Sequence, residues 1–450
     1  MKTPPNVVFI FSDQHRAQAT GYNGDLNVKT PVMDQLAKES LNFSTAVSCA
    51  PVCSPYRGCL LTGQYPLTHG VIVNDVNLAH TTTSLADSFT QAGYDTAYIG
   101  KWHVDGHGRS RFIPQERHFG FDTWKVLECT HDYNHSKYYV GNDPQVHLWE
   151  GYDAEAQTAA AQDYIRQHAN GKPFLLVLSW GPPHNPYETA PQRFRDMYNP
   201  EEIVLRPNVP VEKEATARQE LSGYYAHISA LDECLGNLLE TLNEQGIAED
   251  TLVVYTSDHG DMLGSQGEHR KQRPWDESIL SPFLLRWPGR FGKEGRVIDM
   301  PFNSPDIMPT LLSLCGIPVP DSVEGRSYAG YLRGDEDIDV EAALIECVHC
   351  FGEWTNPPWP LAREYRGLRT RRYTYVRDLK GPWLLYDNLA DPYQMVNLVG
   401  ENRTVDIQHH LDALLTQMLA DQGDEFLPGV EYMHRWGYPM DETGTVPYEN

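Results

Sequence analysis

The sequence predicts an α/β fold: a large, mixed, mainly parallel sheet sandwiched by helices, followed by a smaller C-terminal α+β domain built on an antiparallel sheet. Three observations predict it. First, short uninterrupted apolar runs at Val7–Phe11, Thr96–Ile99, Phe174–Ser179 and Leu252–Thr256 read as strands buried on both faces. Second, helical stretches lie between them, from Pro31 to about Glu39, from Ala154 to His168 and from Ala215 to Gln245. Strands alternating with helices imply parallel crossovers covered on both sides. Third, the texture changes after about residue 335. An acidic linker, GDEDIDVEA, leads to Tyr365–Val376 and Trp383–Tyr386, which read as antiparallel strands with turns at Lys380-Gly381 and Ala390-Asp391-Pro392. The division expected is a larger α/β domain over 1–340 and a second, α+β domain over 341–450. The latter ends in a helix, about Thr404 to Asp421, and a tail from Phe426 that wraps the surface.

The strands in order show where chemistry gathers. Val7–Phe11 runs into Ser12-Asp13-Gln14-His15. Phe174–Ser179 runs into Trp180 and on to His184. Leu252–Thr256 runs into Ser257-Asp258-His259-Gly260. Sites in open parallel sheets form outside the carboxyl ends of the strands, so three strands deliver polar groups to one edge.

Composition narrows the class. The chain has 450 residues and a formal net charge of −25. That charge argues against nucleic acid, which needs clustered Lys and Arg. An anionic small molecule requires instead a local cationic pocket set against the global field. Eight cysteines are too few for a disulfide scaffold, and Cys347 and Cys350 form a CxxC with no second pair at zinc spacing, so they read as buried thiols. The N-terminal apolar run of Val7–Phe11 is too short for a membrane span or a signal peptide, which predicts a cytoplasmic protein without a membrane partner.

The most informative stretch is CAPVCSPYRGCLLTGQYPLTHGV, residues 49–71. Within it Cys53-Ser54-Pro55-Tyr56-Arg57 is a Cys-x-Pro-x-Arg, continued by Gly58 to Pro66 and by His69-Gly70. Further motifs follow in order: Gly100-Lys101-Trp102-His103, Pro183-His184-Asn185-Pro186, Thr256-Ser257-Asp258-His259-Gly260, Lys271, and Pro274 to Ser278. Together they resemble the type I, formylglycine-dependent sulfatases, and the fold implied is that of the alkaline phosphatase superfamily.

The resemblance implies that Cys53 is oxidised to formylglycine by a maturation enzyme, the formylglycine-generating enzyme, before folding. The hydrated aldehyde is a geminal diol. One hydroxyl attacks sulfur and the other then expels sulfate, so the nucleophile carries its own release step. A nucleophile entering a helix N-terminus meets free N–H groups and the positive dipole end, which suits an incoming sulfate. Arg57, one turn on, contacts the diol or an anion oxygen. Lys101 binds the diol and the sulfate, and His103 is the base that collapses the intermediate. His184 and Lys271 hold sulfate and protonate the leaving oxygen. Asp13, Gln14, Asp258 and His259 form the metal site. Ca²⁺ is preferred for the oxygen donors, with Mn²⁺ or Mg²⁺ as alternatives, the nitrogen ligand leaning toward a transition metal.

The reading that follows is hydrolysis of an organic sulfate monoester, of a sulfated sugar or a small or aryl sulfate. The alternative is a phosphonate monoester or phosphodiester hydrolase using the same diol and metal. Tyr56 stands where relatives of this type carry a small residue, and so bears on whether Cys53 matures. Weaker rim candidates are His15, Arg16, His131, His135, Trp354, Trp359, Arg366 and Arg369. Gln266 and Glu268 lie in a stretch where substrate choice is expected to vary.

Overall fold

The computed structural model describes residues 4–352 and 363–449. The predicted Trp354 and Trp359 lie outside the described residues.

A ten-stranded sheet runs through the larger part of the molecule. Its centre is the four strands read from apolar runs, now side by side: Thr251–Ser257, Asn6–Asp13, Phe174–Pro183 and Asp95–Lys101, all mutually parallel. Their side chains are almost wholly buried because helices cover both faces, which is why the sequence shows unbroken apolar runs. Flanking strands complete the sheet. Thr123–Leu127 pairs parallel to Asp95–Lys101, and the hairpin Lys137–Val140/Asp143–Leu148 closes that edge. On the other side Phe283–Arg286 is antiparallel, followed by Leu41–Phe43 and Arg296–Ile298.

The helices are those expected, at Pro31–Ala37, Asp153–His168 and Glu214–Glu244. The long helix buries Leu221, Tyr224, Ile228, Leu231, Leu235 and Leu238 against one sheet face, a spacing of three and four that keeps one stripe inward. On the opposite face, the helix Cys53–Thr62 lies in the core with Phe9, Phe11, Val254 and Phe283.

The second sheet has four antiparallel strands, Ala342–Cys347, Tyr365–Thr370, Tyr373–Asp378 and Gly381–Asp387. The stretch expected as one strand over Tyr365–Val376 thus folds as two, turning after Thr370. The helix Val405–Asp421 lays Leu411, Leu415 and Leu419 on one face of this sheet. The other face, with Ala343, Ile345 and Tyr365, packs on Met262, Trp275 and Ile279, beside the loops that follow the parallel strands. The tail does more than wrap the surface: after a helix at Gly429–Trp436, residues Asp441–Tyr448 return to line the main cavity.

Candidate active site

The carboxyl ends of the four central strands converge as expected, and all ten residues singled out from the sequence meet around them. Cys53 is the first residue of its helix, entered from Val52 in extended conformation (φ −149°, ψ 143°). Asn74 Oδ1 accepts from Ser54 N at 3.0 Å and fixes that first turn. Cys53 Sγ, 1% exposed, lies 3.0 Å from Lys271 Nζ, 3.4 Å from His259 Nε2 and 3.5 Å from Asp13 Oδ1. It opens onto a cavity of about 640 Å³ whose lining includes Lys101, His103, His184, Arg270 and Lys271. This is the cationic pocket that a −25 chain needs if it is to hold an anion.

Two acids organise the floor. Asp13 Oδ2 accepts from Lys101 Nζ at 2.6 Å and from Arg57 Nη2 at 3.4 Å. Burial raises the Asp13 carboxyl, but Lys101, His184 and Lys271 outweigh it and hold it well below the usual carboxylate range. Asp258 is pushed up to about 6 by burial and by the charge on Asp13. Its Oδ1 accepts from Gln14 N and His259 N, both at 2.9 Å.

Arg57 is fully buried one turn into the helix. Its Nη1 donates to Lys101 O at 2.7 Å and to Ser179 Oγ at 2.9 Å, and the guanidinium lies 4.8 Å from the Phe11 ring centroid. It therefore ties three strand ends to the helix that carries Cys53. Gly100 allows the approach. Its φ is +105°, and a Cβ there would stand 2.0 Å from Ser179 O. Lys101 can then turn inward where two strands nearly touch.

Asp13, Asp258 and His259, with Cys53, offer ligand atoms within 4.8 Å of one another. His259 Nδ1 donates to Gly260 O at 2.9 Å, which leaves Nε2 facing the acids. Gln14 sits at φ +72°, an unusual conformation for a non-glycine residue. Its amide nitrogen donates to Asp261 Oδ2 at 2.5 Å, while its Oε1 is buried without a hydrogen-bond partner among the described residues; Asp258 Oδ2 likewise has no hydrogen bond there, though Arg57 Nη2 lies 3.5 Å from it. Orphaned buried acceptors are costly unless something positive meets them. The donor set fits a hard divalent cation.

On the other side of Cys53, Lys271 Nζ lies 3.0 Å from His184 Nε2, and His184 Nδ1 donates to Asn185 O at 2.8 Å. Burial and Lys271 hold His184 well below its ordinary value, so the imidazole is neutral. Burial and Asp13 raise the Cys53 thiol, but Lys101, Lys271 and His259 prevail and hold it well below an ordinary thiol. The pocket thus favours negative charge at this atom. His103 sits at φ +59°, with Nε2 3.5 Å from Asp75 Oδ1. Burial lowers it, yet the surrounding anionic groups raise it to about 9.

The structure also sorts the weaker candidates. His131 stacks on His184 with ring centroids 4.6 Å apart and belongs to the pocket. His135 is an exposed partner of Asp132. His15 is buried against Tyr255 and Ala19 and pushed down to about 4 by burial, and Arg16 is buried in the floor behind the site. Arg366 and Arg369 are not at the rim: they form buried ion pairs with Asp424 and Asp276. Gln266 Nε2 donates to the carbonyls of Tyr393 and Gln394, and Glu268 pairs with Arg273, so both are tied up structurally. Tyr56 is buried in the apolar core, its ring centroid 6.2 Å from that of Phe11. Cys347 and Cys350 are neighbouring thiols, Sγ to Sγ 3.5 Å. Sequence reasoning missed Asp75, whose carboxylate is gripped by Arg109 through bonds of 2.8 and 2.7 Å, and the whole wall from Asp441 to Tyr448.

Comparisons with known proteins point to one family. The sulfatase family model matches residues 5–317, and a model described as N-sulphoglucosamine sulphohydrolase, C-terminal, matches 264–421. An ulvan-active sulfatase of Formosa agariphila is 45% identical over 99% of this chain and 87% of its own length. An endo-4-O-sulfatase of Bacteroides thetaiotaomicron is 32% identical over 89% of each chain. The solved structure of a candidate sulfatase, yidJ, from Bacteroides fragilis superposes with a TM-score of 0.85 at 30% identity, over 96% of this chain and 98% of that one. On the strength of the fold, the ordered motifs and these matches, the chain belongs to the sulfatase family, sulfuric ester hydrolases of the alkaline phosphatase superfamily.

Proposed function

We propose that this enzyme hydrolyses a sulfate monoester on a sugar, within a mono- or oligosaccharide, and that its nucleophile is formylglycine made from Cys53 with a calcium ion beside it. One observation carries the reading. Cys53 Sγ stands at the floor of a 640 Å³ cavity between a group of metal-ligating side chains and the ammonium of Lys271. That volume suits a small ligand or a short oligosaccharide. The ulvan-active relative, similar over nearly the whole chain, favours a sulfated saccharide over other sulfate esters.

Asp13, Gln14, Asp258 and His259 would hold the ion, which supplies Lewis-acid polarisation of a sulfuryl oxygen. Formylglycine supplies, when hydrated, a nucleophilic hydroxyl with a second hydroxyl for release. This chain's own residues do the rest. Lys101, beside Asp13, and Lys271 present ammonium groups to the anionic sulfate from two sides. Arg57 holds the strand ends and the helix in register and balances Asp13 and Asp258. His103 lies within reach of Asp75 and serves as the acid–base group for the nucleophile. His184, neutral and oriented by Asn185, accepts one proton of the Lys271 ammonium and so holds that group where another of its protons reaches the leaving oxygen.

The test is a panel of sulfated sugars, 4-nitrophenyl sulfate and an aryl phosphonate offered to protein co-produced with the maturation enzyme. Turnover of a sulfated sugar above the others is expected. A clear preference for the phosphonate would replace this reading with the phosphonate hydrolase one.

A further inference from the structure

The segment Asp441–Tyr448 forms one wall of the same cavity that Cys53 opens onto. It is pinned at its middle and at its C-terminal end. His349 Nε2 lies 3.1 Å from Gly444 O, and Gly352 N donates to Thr445 Oγ1 at 3.0 Å. At the C-terminal end the Arg109 guanidinium lies 3.4 Å from the Tyr448 ring centroid, and Arg109 N donates to Glu449 O at 2.8 Å. Arg109 is itself held by Asp75, the partner of His103, so the wall is coupled to the reacting end.

The hydrogen-bond polarity of the wall can be worked out proton by proton. Thr443 Oγ1 donates to Asp441 Oδ1 at 2.8 Å, because a carboxylate only accepts. Thr443 and Thr445 hydroxyls are 2.8 Å apart, and the Thr443 proton is already used, so Thr445 donates to Thr443. Both hydroxyl protons are therefore spent inside the segment. What remains for the cavity are lone pairs on the threonine oxygens and on Asp441, whose Oδ2 takes no hydrogen bond among the described residues. The same cavity is also lined by Lys101, Lys271 and Arg270, side chains that only donate.

We propose that Asp441, Thr443 and Thr445 form an acceptor wall that selects the hydroxyl groups of the sugar ring carrying the sulfate. This deepens the saccharide reading above and rests on it. A ligand complementary to the cavity has an anionic group at one end and O–H donors along its flank. A sulfated sugar has both; an aryl sulfate lacks the donors. The Asp441 charge also disfavours a second anionic substituent at that side of the ring.

The experiment compares a sulfated pyranoside bearing free hydroxyls with its O-methylated counterpart, using wild-type enzyme, Asp441→Asn and Thr443→Val. Asp441→Asn keeps the shape and the Oδ1 acceptor and turns the other atom into a donor. The wild type is expected to prefer the free-hydroxyl ester by about tenfold or more in kcat/KM, the scale of a hydrogen bond to a charged group. Both variants are expected to shrink that preference to within about threefold, through KM rather than kcat. If the variants keep the wild-type preference, the wall assignment is wrong while the sugar reading stands. If the wild type turns over 4-nitrophenyl sulfate but neither pyranoside, the sugar reading falls and takes this inference with it.

Discussion

Replacing Lys271 with methionine separates anion binding from proton delivery. Lys271 is 3% exposed, and its Nζ lies 3.0 Å from both Cys53 Sγ and His184 Nε2. Since His184 is neutral and its Nδ1 proton is committed to Asn185 O, the pair carries one transferable proton, and it sits on Lys271. A sugar alkoxide needs that proton to leave; 4-nitrophenolate does not. General acid catalysis contributes about 10²–10⁴-fold. Loss of Lys271 should therefore cost the sugar ester about 10²-fold or more beyond whatever it costs the aryl sulfate, which is about 2.7 kcal/mol or more of extra barrier. The assay is kcat/KM for both esters, with thermal melting to verify that the variant is folded. Equal losses on the two esters would refute the argument, because they would mean that Lys271 serves only to bind the anion.

Three further outcomes are expected, two at the site and one away from it. Adding calcium to chelator-treated protein should raise the melting temperature, by the equivalent of about 2.7 kcal/mol at a hundredfold excess over Kd, and Asp258→Ala should abolish the shift. Because the Asp258 carboxyl is raised to about 6 in the free protein, ion binding displaces a proton below that pH, so the shift should shrink as pH falls from 7 to 5. Away from the site, Asp424→Ala should destabilise the fold by about 3 kcal/mol in denaturant melts. Among the described residues, it leaves the buried Arg366 guanidinium with Glu346, 3.7 Å away, as its one remaining acidic neighbour, beside the carbonyls of Cys347 and Tyr365.

The parts of the fold legible in the sequence are those where burial is complete. Strands such as Val7–Phe11 and Leu252–Thr256 sit under helices on both faces, so no polar residue interrupts them. The edge hairpin strand Asp143–Leu148 is largely exposed, and Phe283–Arg286 and Leu41–Phe43 are too short to show a period. The ten site residues are readable because each belongs to an ordered motif, and all but Lys271 lie at or just past a strand end or on the Cys53 helix. Asp75, Arg109 and the Asp441–Tyr448 wall lie in irregular loops hundreds of residues apart in part, joined only by the folded chain. Their one local trace is Asn74-Asp75, directly after the His69-Gly70 motif, where an acid ends an apolar run. Arg366 and Arg369 misled for the converse reason. Arginine beside aromatic residues reads as a ligand-binding rim, yet here each is neutralised by an acid from a distant segment, Asp424 or Asp276.

The central claim is that the thiol at Cys53 is absent from the working enzyme. Mass spectrometry of the peptide spanning residue 53, on protein co-produced with the maturation enzyme and assayed in parallel on a sulfated sugar, tests it most directly. An aldehyde at this residue in proportion to activity is expected, and a folded but inactive Cys53→Ala variant. Full activity from protein whose residue 53 is entirely unmodified cysteine would contradict it.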